Sequence, residues 1–201
     1  MTAQRRVGLF GGTFDPVHEA HRALARAARD GLALDEVRWI PSGLSWQKAA
    51  REVTPAADRE AMVRLAIAGE PRFTASRIEI ERPGPSYTLD TVREFAAAEP
   101  DTDWVLIIGA DQYAALPSWH GWQELLQRVT LAVANRPGPA RPLPRELAAH
   151  PHRVVPLPML DISSTAIRDR VRQGEAIAAL VPPEVARYIE THRLYRGPAG
   201  S

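Results

Sequence analysis

DWVLIIGA, residues 103–110, is an unbroken apolar run closed by a glycine and an alanine. It lacks polar–apolar alternation, so a strand made from it needs cover on both faces, as parallel strands between helical layers do. The segments on either side repeat the theme. Short strands are predicted over RRVGLF (5–10), EVRWIP (36–41) and VTLAVANR (129–136), and RFTASRIEI (72–80) has strand character. Between them lie segments of helical period: AHRALARAARDG (20–31), VTPAADREAMVRLAIAGEP (53–71), SYTLDTVREFAAAEP (86–100) and WQELLQRV (122–129). In the first, Leu24, Ala27 and Ala28 share a face and Gly31 can take the left-handed C′ position. In the second, Thr54 is the expected N-cap and Pro55 the first helical residue. Prolines crowd residues 135–159, which are expected to be mostly loop with a brief strand HRVVPL (152–157). SSTAIRDRVRQG (163–174) and PPEVARYIETHRLY (182–195) are the last expected helices, and GPAGS a frayed tail.

Strands alternating with helices imply an open parallel sheet with right-handed crossovers. Such sheets bind ligands beyond the carboxyl ends of their strands. Three loops sit at such ends: residues 11–18, 41–48 and 109–119.

The 201 residues, 45% of them hydrophobic, suffice for one sizeable core, so one domain over 1–201 is expected, with a helical C-terminal part near 160–195. A net charge of +1 gives no electrostatic footprint for nucleic acid, and none is expected as a partner. The chain has no cysteine, which excludes disulfides, a thiol nucleophile and thiolate zinc sites. The N-terminal stretch is too short in apolar residues for a signal peptide, and no run approaches a membrane span. The expectation is a cytoplasmic protein, monomeric or homo-oligomeric, with no membrane partner. Of the 25 basic side chains only Lys48 is lysine. Its compact ammonium differs from the planar arginine fork, which marks it as a candidate functional residue.

The first strand runs into VGLFGGTFDPVHEAH, residues 7–21. HEAH falls one residue short of the zinc-protease pattern H-E-x-x-H and lacks a third ligand, although histidines at i and i+3 can share a helical face. The order Gly8, Gly11, Gly12 does not match the G-x-G-x-x-G fingerprint. A phosphate cradle fits better. Gly11 and Gly12 admit close approach of a ligand to the backbone. A helix starting near His18 aims its free N–H groups at the same space, and His18 and His21 add imidazole donors. A buried turn with helix-capping histidines remains the structural alternative. Far downstream, DISSTAIRDR (161–170) places Ser163, Ser164 and Thr165 at another helix start, with Arg168 one turn along. Hydroxyls, amides and a guanidinium there suit a terminal phosphate.

Together these motifs carry a resemblance. GGTFDPVHEAH looks like the T/HxGH signature, and ISSTAIR like the ISSTxIR signature, of the nucleotidyltransferase α/β-phosphodiesterase superfamily. PSYTLDTV, GADQYAALPSWHGW and ANRPG narrow it to a resemblance to the bacterial nicotinate-nucleotide adenylyltransferases, running from about Val7 to Arg170. The chain departs from that pattern at Ala20, where the family usually has glycine, at Glu19, commonly asparagine, and at LSWQK, where many members have P-P-H-K.

The resemblance implies an α/β fold: a Rossmann-like open parallel sheet with helices on both faces and a small C-terminal helical extension. It implies adenylyl transfer from ATP to nicotinate mononucleotide by direct in-line attack, a step of NAD biosynthesis, with magnesium carried by ATP and no dedicated protein metal site. By similarity, His18, His21 and Arg168 are catalytic. Gly11, Gly12, Thr13, Phe14, Gly109, Asp111, Ile162, Ser163 and Ser164 join them around ATP. Lys48, Thr88, Asp111, Trp119, His120 and Arg136 take the mononucleotide, with Trp119 as a platform for the pyridine ring. Competing readings are a phosphopantetheine adenylyltransferase, a fragment of an aminoacyl-tRNA synthetase, and a non-enzymatic nucleotide-binding regulator.

Overall fold

The computed structural model describes residues 4–43, 53–135, 143–157 and 160–196. Lys48 and Arg136, the expected grips on the mononucleotide phosphate, and the GPAGS tail lie outside them.

Within the described residues six strands form one parallel sheet: β1 (Arg5–Gly12), β2 (Glu36–Pro41), β3 (Phe73–Ala75), β4 (Thr102–Gly109), β5 (Thr130–Asn135) and β6 (Arg153–Pro156). Their order is β3-β2-β1-β4-β5-β6, and every neighbouring pair is parallel. The chain thus builds outward from β1 in one direction, then returns to lay β4 on its other side. That reversal is the switch point of a doubly wound sheet, where the first loops on the two sides part and leave a crevice.

The DWVLIIGA run behaves as its composition demands. Val105 and Ile107 enter one apolar cluster, while Trp104, Leu106 and Ile108 enter the other. Each face is then covered by helices. Cover on the first face comes from α1 (Glu19–Gly31) and α2 (Ala56–Ile67), together with Ile167 of α8 (Ser164–Arg172) and Val185 and Ile189 of α9 (Pro183–Thr191). The second face takes Leu89, Val92 and Phe95 of α4 (Thr88–Ala98), Tyr113 of α5 (Ala110–Ala115), Leu125 of α6 (Trp122–Arg128) and Leu147 of α7 (Arg145–Ala148). The C-terminal helices therefore share the main core rather than standing apart from it.

Five local expectations are corrected. Gly31 is the last residue of α1 rather than a left-handed C′ residue, and the left-handed position falls at Ala33, with φ 50°. RFTASRIEI pairs with β2 only over Phe73–Ala75, then turns into the short helix α3 (Ile78–Glu81). Ala75 lies opposite Trp39, two residues before β2 ends, so the ladder stops because the chain turns away: the Ser76 hydroxyl accepts the Ile78 amide at 3.4 Å at the start of α3. Pro55 is the N-cap of α2 and Ala56 its first residue, because Pro55 sits at an extended ψ of 142°. The 109–119 segment is helical rather than a loop, with α5 followed by a 3-10 turn over Leu116–Ser118. Finally, α9 stops at Thr191, four residues before the expected end. Arg193 adopts a left-handed φ of 53°, and the Leu194 amide bonds back to the Ile189 carbonyl at 3.0 Å, a helix-closing turn without glycine.

Candidate active site

The crevice at the switch point is a cavity of about 440 Å³. Its floor is the carboxyl ends of β1 and β4, at Gly11, Gly12 and Gly109. The first turns of α1, α4 and α8 point into it, bringing His18, His21, Thr88, Ser163, Ser164 and Arg168 together. Thr13, Phe14, Asp111, Trp119, His120 and Ile162 complete the predicted set. Every expected site residue within the described chain lines this single cavity. Helix N-termini and a guanidinium at one place concentrate positive potential where an anion can sit.

The 11–18 turn is held tightly. Gly11 and Gly12 serve different ends. A Cβ on Gly11 would meet no atom within 4 Å, so its face of the chain is open to a ligand. A Cβ on Gly12 would lie 3.0 Å from the Phe14 ring, so that glycine makes room for the protein's own side chain. Phe14 is buried with a left-handed φ of 50° and stands edge-on to Phe10 at 5.5 Å and to His21 at 5.1 Å. His18 and His21 stack with ring centroids 3.6 Å apart. The His18 amide donates to His21 Nδ1 at 3.2 Å, so neutral His21 carries its proton on Nε2. One expected donor is already committed: the Glu19 amide bonds to the Leu180 carbonyl at 2.9 Å.

The second signature is latched to the first. The Ser164 hydroxyl donates to the Pro16 carbonyl at 2.9 Å, and Arg168 Nη1 to the Asp15 carbonyl at 2.6 Å. Arg168 Nη2 also reaches the Thr165 hydroxyl at 3.1 Å. Ser163 caps α8, its hydroxyl accepting the Ala166 amide at 3.2 Å. Ser164 therefore fixes the turn with its hydroxyl proton, whereas the guanidinium of Arg168 has further N–H donors beyond these two contacts.

The other end of the cavity is aromatic. His120 packs against Tyr87, the N-cap of α4, at 4.6 Å. Trp119 Nε1 and Ser42 Oγ are buried with no hydrogen-bond partner among the described residues, as expected of donors or acceptors that a ligand completes. Glu79 also lines this end, with its Oε1 accepting the Thr91 hydroxyl at 2.9 Å. Burial pushes its carboxyl above the usual range, against the opposing pull of Thr91 and the Arg82 charge.

Sequence reasoning missed a polar group under the turn. Asp15 is buried, accepting the Tyr195 hydroxyl on Oδ1 at 2.7 Å and the Thr54 amide on Oδ2 at 3.4 Å. Arg59, also buried, donates to the carbonyls of Thr13 and Thr54, each at 2.8 Å. A signal existed: Arg59 stands on the same stripe of α2 as Met62, Val63 and Ala66, where a charge is out of place without partners.

Comparison with known proteins gives the chain a family. The model of the cytidylyltransferase-like family matches residues 9–170. A curated protein of Methylibium petroleiphilum named "Probable nicotinate-nucleotide adenylyltransferase" is 51% identical, over 98% of this chain and 95% of its own length. The chain belongs to the nicotinate-nucleotide adenylyltransferase family. A member from Bordetella petrii is 46% identical over 96% of this chain and all of its own. Among solved structures, the nicotinic acid mononucleotide adenylyltransferase of Plasmodium falciparum complexed with NaAD superposes with a TM-score of 0.79, at 17% identity, covering 95% of this chain and 97% of that one. At that identity the likeness is one of fold.

Proposed function

We propose that this protein joins nicotinate mononucleotide to the adenylyl group of ATP, forming nicotinate adenine dinucleotide and releasing pyrophosphate, a step of NAD biosynthesis. The observation that carries this reading is the convergence of both signature segments on one cleft, phosphate donors at one end and an aromatic wall at the other.

In this reading the mononucleotide 5′-phosphate oxygen attacks the α-phosphorus in line, a new P–O bond forms, and the bond to the β-phosphate breaks. The nucleophile is already anionic, so no general base is required. Rate enhancement rests on positioning and on donors aimed at developing charge. His21 Nε2–H and the ring of His18 face the α-phosphate, while the α8 amides and Arg168 hold the departing β- and γ-phosphates. Asp111, at the start of α5, lies near the ribose and the metal-bearing phosphates. Trp119 offers its ring to the pyridine, and the amides at Thr88 and His120 take the carboxylate. Lys48 and Arg136 are assigned to the mononucleotide phosphate.

Among the described residues no group of three or more His, Cys, Asp or Glu gathers into a cation cage. The donor set suits a magnesium ion borne mainly by triphosphate oxygens, with Asp111 as a protein carboxylate on its side of the cleft; the cation would supply the positive charge that offsets the phosphates. No helix of the described chain is long and apolar enough to cross a membrane.

Pyrophosphate release with ATP and either nicotinate mononucleotide or its amide tests the proposal. Turnover with the acid supports it; turnover with neither, despite ATP binding, would overturn it.

A further inference from the structure

Asp15 poses an electrostatic problem. It lines a cleft that is otherwise arranged for anions, and it keeps a buried carboxylate beneath the 11–18 turn. An unshielded buried carboxylate beside a triphosphate would repel it, more strongly than in water because the surroundings are less polarisable. The protein meets this with two hydrogen bonds and one nearby positive charge. Thr54, which precedes α2, supplies an amide to Oδ2, and Arg59 of α2 sits close enough for its charge to be felt. The remaining contact is Tyr195, 180 residues away, whose hydroxyl donates to Oδ1 at 2.7 Å.

Tyr195 reaches that position only because α9 stops early. The turn after Thr191 carries two left-handed residues, Arg193 at φ 53° and Tyr195 at φ 63°. A bulky aromatic residue rarely adopts that conformation, and it persists only where surrounding contacts hold it. The phenol is driven inward, partly buried against the main core. Burial and the adjacent Asp15 raise its ionisation well above the ordinary phenol range, so it remains a donor across the whole working pH range. The same Asp15 gives its carbonyl to Arg168, and its neighbour Phe14 packs on His21. The turn that carries the Asp15 carboxylate thus also carries the contacts to Arg168 and His21.

We propose that Tyr195 is a positioning residue of the nucleotide site, whose hydroxyl pins the Asp15 carboxylate and shields its charge from the triphosphate of ATP. The inference rests on the triphosphate lying against the 11–18 turn.

The test is a double-variant cycle on the full chain. Tyr195→Phe keeps the ring and removes the donor, and should raise KM for ATP on the order of tenfold, as expected for losing a hydrogen bond to a charged group, with a smaller change for the acceptor. Adding Asp15→Asn removes the charge that needed shielding and should recover most of that loss. A purely structural tyrosine would give no such relief. Kinetics are taken at a temperature where circular dichroism shows each variant folded. Unchanged kinetics in Tyr195→Phe, a loss that Asp15→Asn does not relieve, or failure of Tyr195→Phe to fold would each overturn the proposal. His21→Ala, assayed alongside, reads the site assignment itself. If His21→Ala is impaired while the cycle shows no relief, only the role of Tyr195 falls; if His21→Ala turns over normally, the site reading falls with it.

Discussion

His21 accepts the His18 amide on Nδ1, which places the proton of the neutral ring on Nε2. A donor fixed in that way needs no reorganisation as charge builds on phosphorus. His21→Ala should therefore lower kcat by roughly 10²–10³, about 2.7–4 kcal/mol of barrier, with far less effect on KM for ATP; single-turnover measurements separate the two. Glu79 gives a second prediction at this scale. Its carboxyl is raised chiefly by burial, so the folded protein retains a proton that the unfolded chain has already released. Stability from this group is highest below the ordinary carboxylate value, falls as pH climbs through the interval up to the raised value, and stays reduced above it. Glu79→Gln keeps an acceptor for Thr91 without the charge. Its Tm relative to the parent should rise as pH is raised from about pH 4, and a gain independent of pH would show that the carboxyl is not the cause. Arg59 illustrates the limit of residue-level reading: it stood on the apolar stripe of α2, but its carbonyl partners on Thr13 and Thr54 come from other segments.

At the scale of elements, the acceptor end depends on how α4 meets the turn before α6. Gly121 caps α6 with a left-handed φ of 62°, and a Cβ there would come 2.3 Å from Leu89 Cδ2. Leu89 is the neighbour of Thr88 in the first turn of α4, so displacing one moves the other. Gly121→Ala should destabilise by roughly 1–3 kcal/mol through overpacking and raise KM for the mononucleotide more than for ATP. Thermal melts and paired KM measurements check both parts. The elements themselves were largely readable, because helical and strand periods are local properties of the chain. The exceptions share a cause. RFTASRIEI has strand character, but the chain turns at Ser76 into α3, so its pairing covers only Phe73–Ala75. PPEVARYIETHRLY keeps its apolar period to Tyr195, but the helix closes after Thr191, and the last residues pack as a turn against the turn that carries Asp15.

For the whole molecule, a ligand that bridges β1, β4, α1 and α8 binds only the folded state and should stabilise all of it. ATP at a hundredfold excess over its Kd should add roughly 2.7 kcal/mol, on the order of 5–10 °C in Tm for a chain of this length. Arg168→Ala should abolish most of that shift, since it removes both a phosphate donor and the latch to Asp15. An undiminished shift in the variant would place the triphosphate elsewhere. The strand order β3-β2-β1-β4-β5-β6 explains why these distant segments meet: the reversal between β1 and β4 opens one crevice, and the signature residues flank it.

By itself the sequence determined that both faces of the sheet would be covered, because an unbroken run such as DWVLIIGA leaves no face for water. It also marked the two segments that meet in one cleft, because helix starts rich in glycine, histidine, serine and arginine carry their chemistry locally. Only the tertiary structure decided that Gly12 yields its space to Phe14, that Ser164 and Arg168 latch onto the 15–16 backbone, and that Tyr195 returns to Asp15. Periodicity records which side of an element is buried, but not which distant residue will fill the space opposite it; that choice is made when the packed segments compete for the same few ångströms.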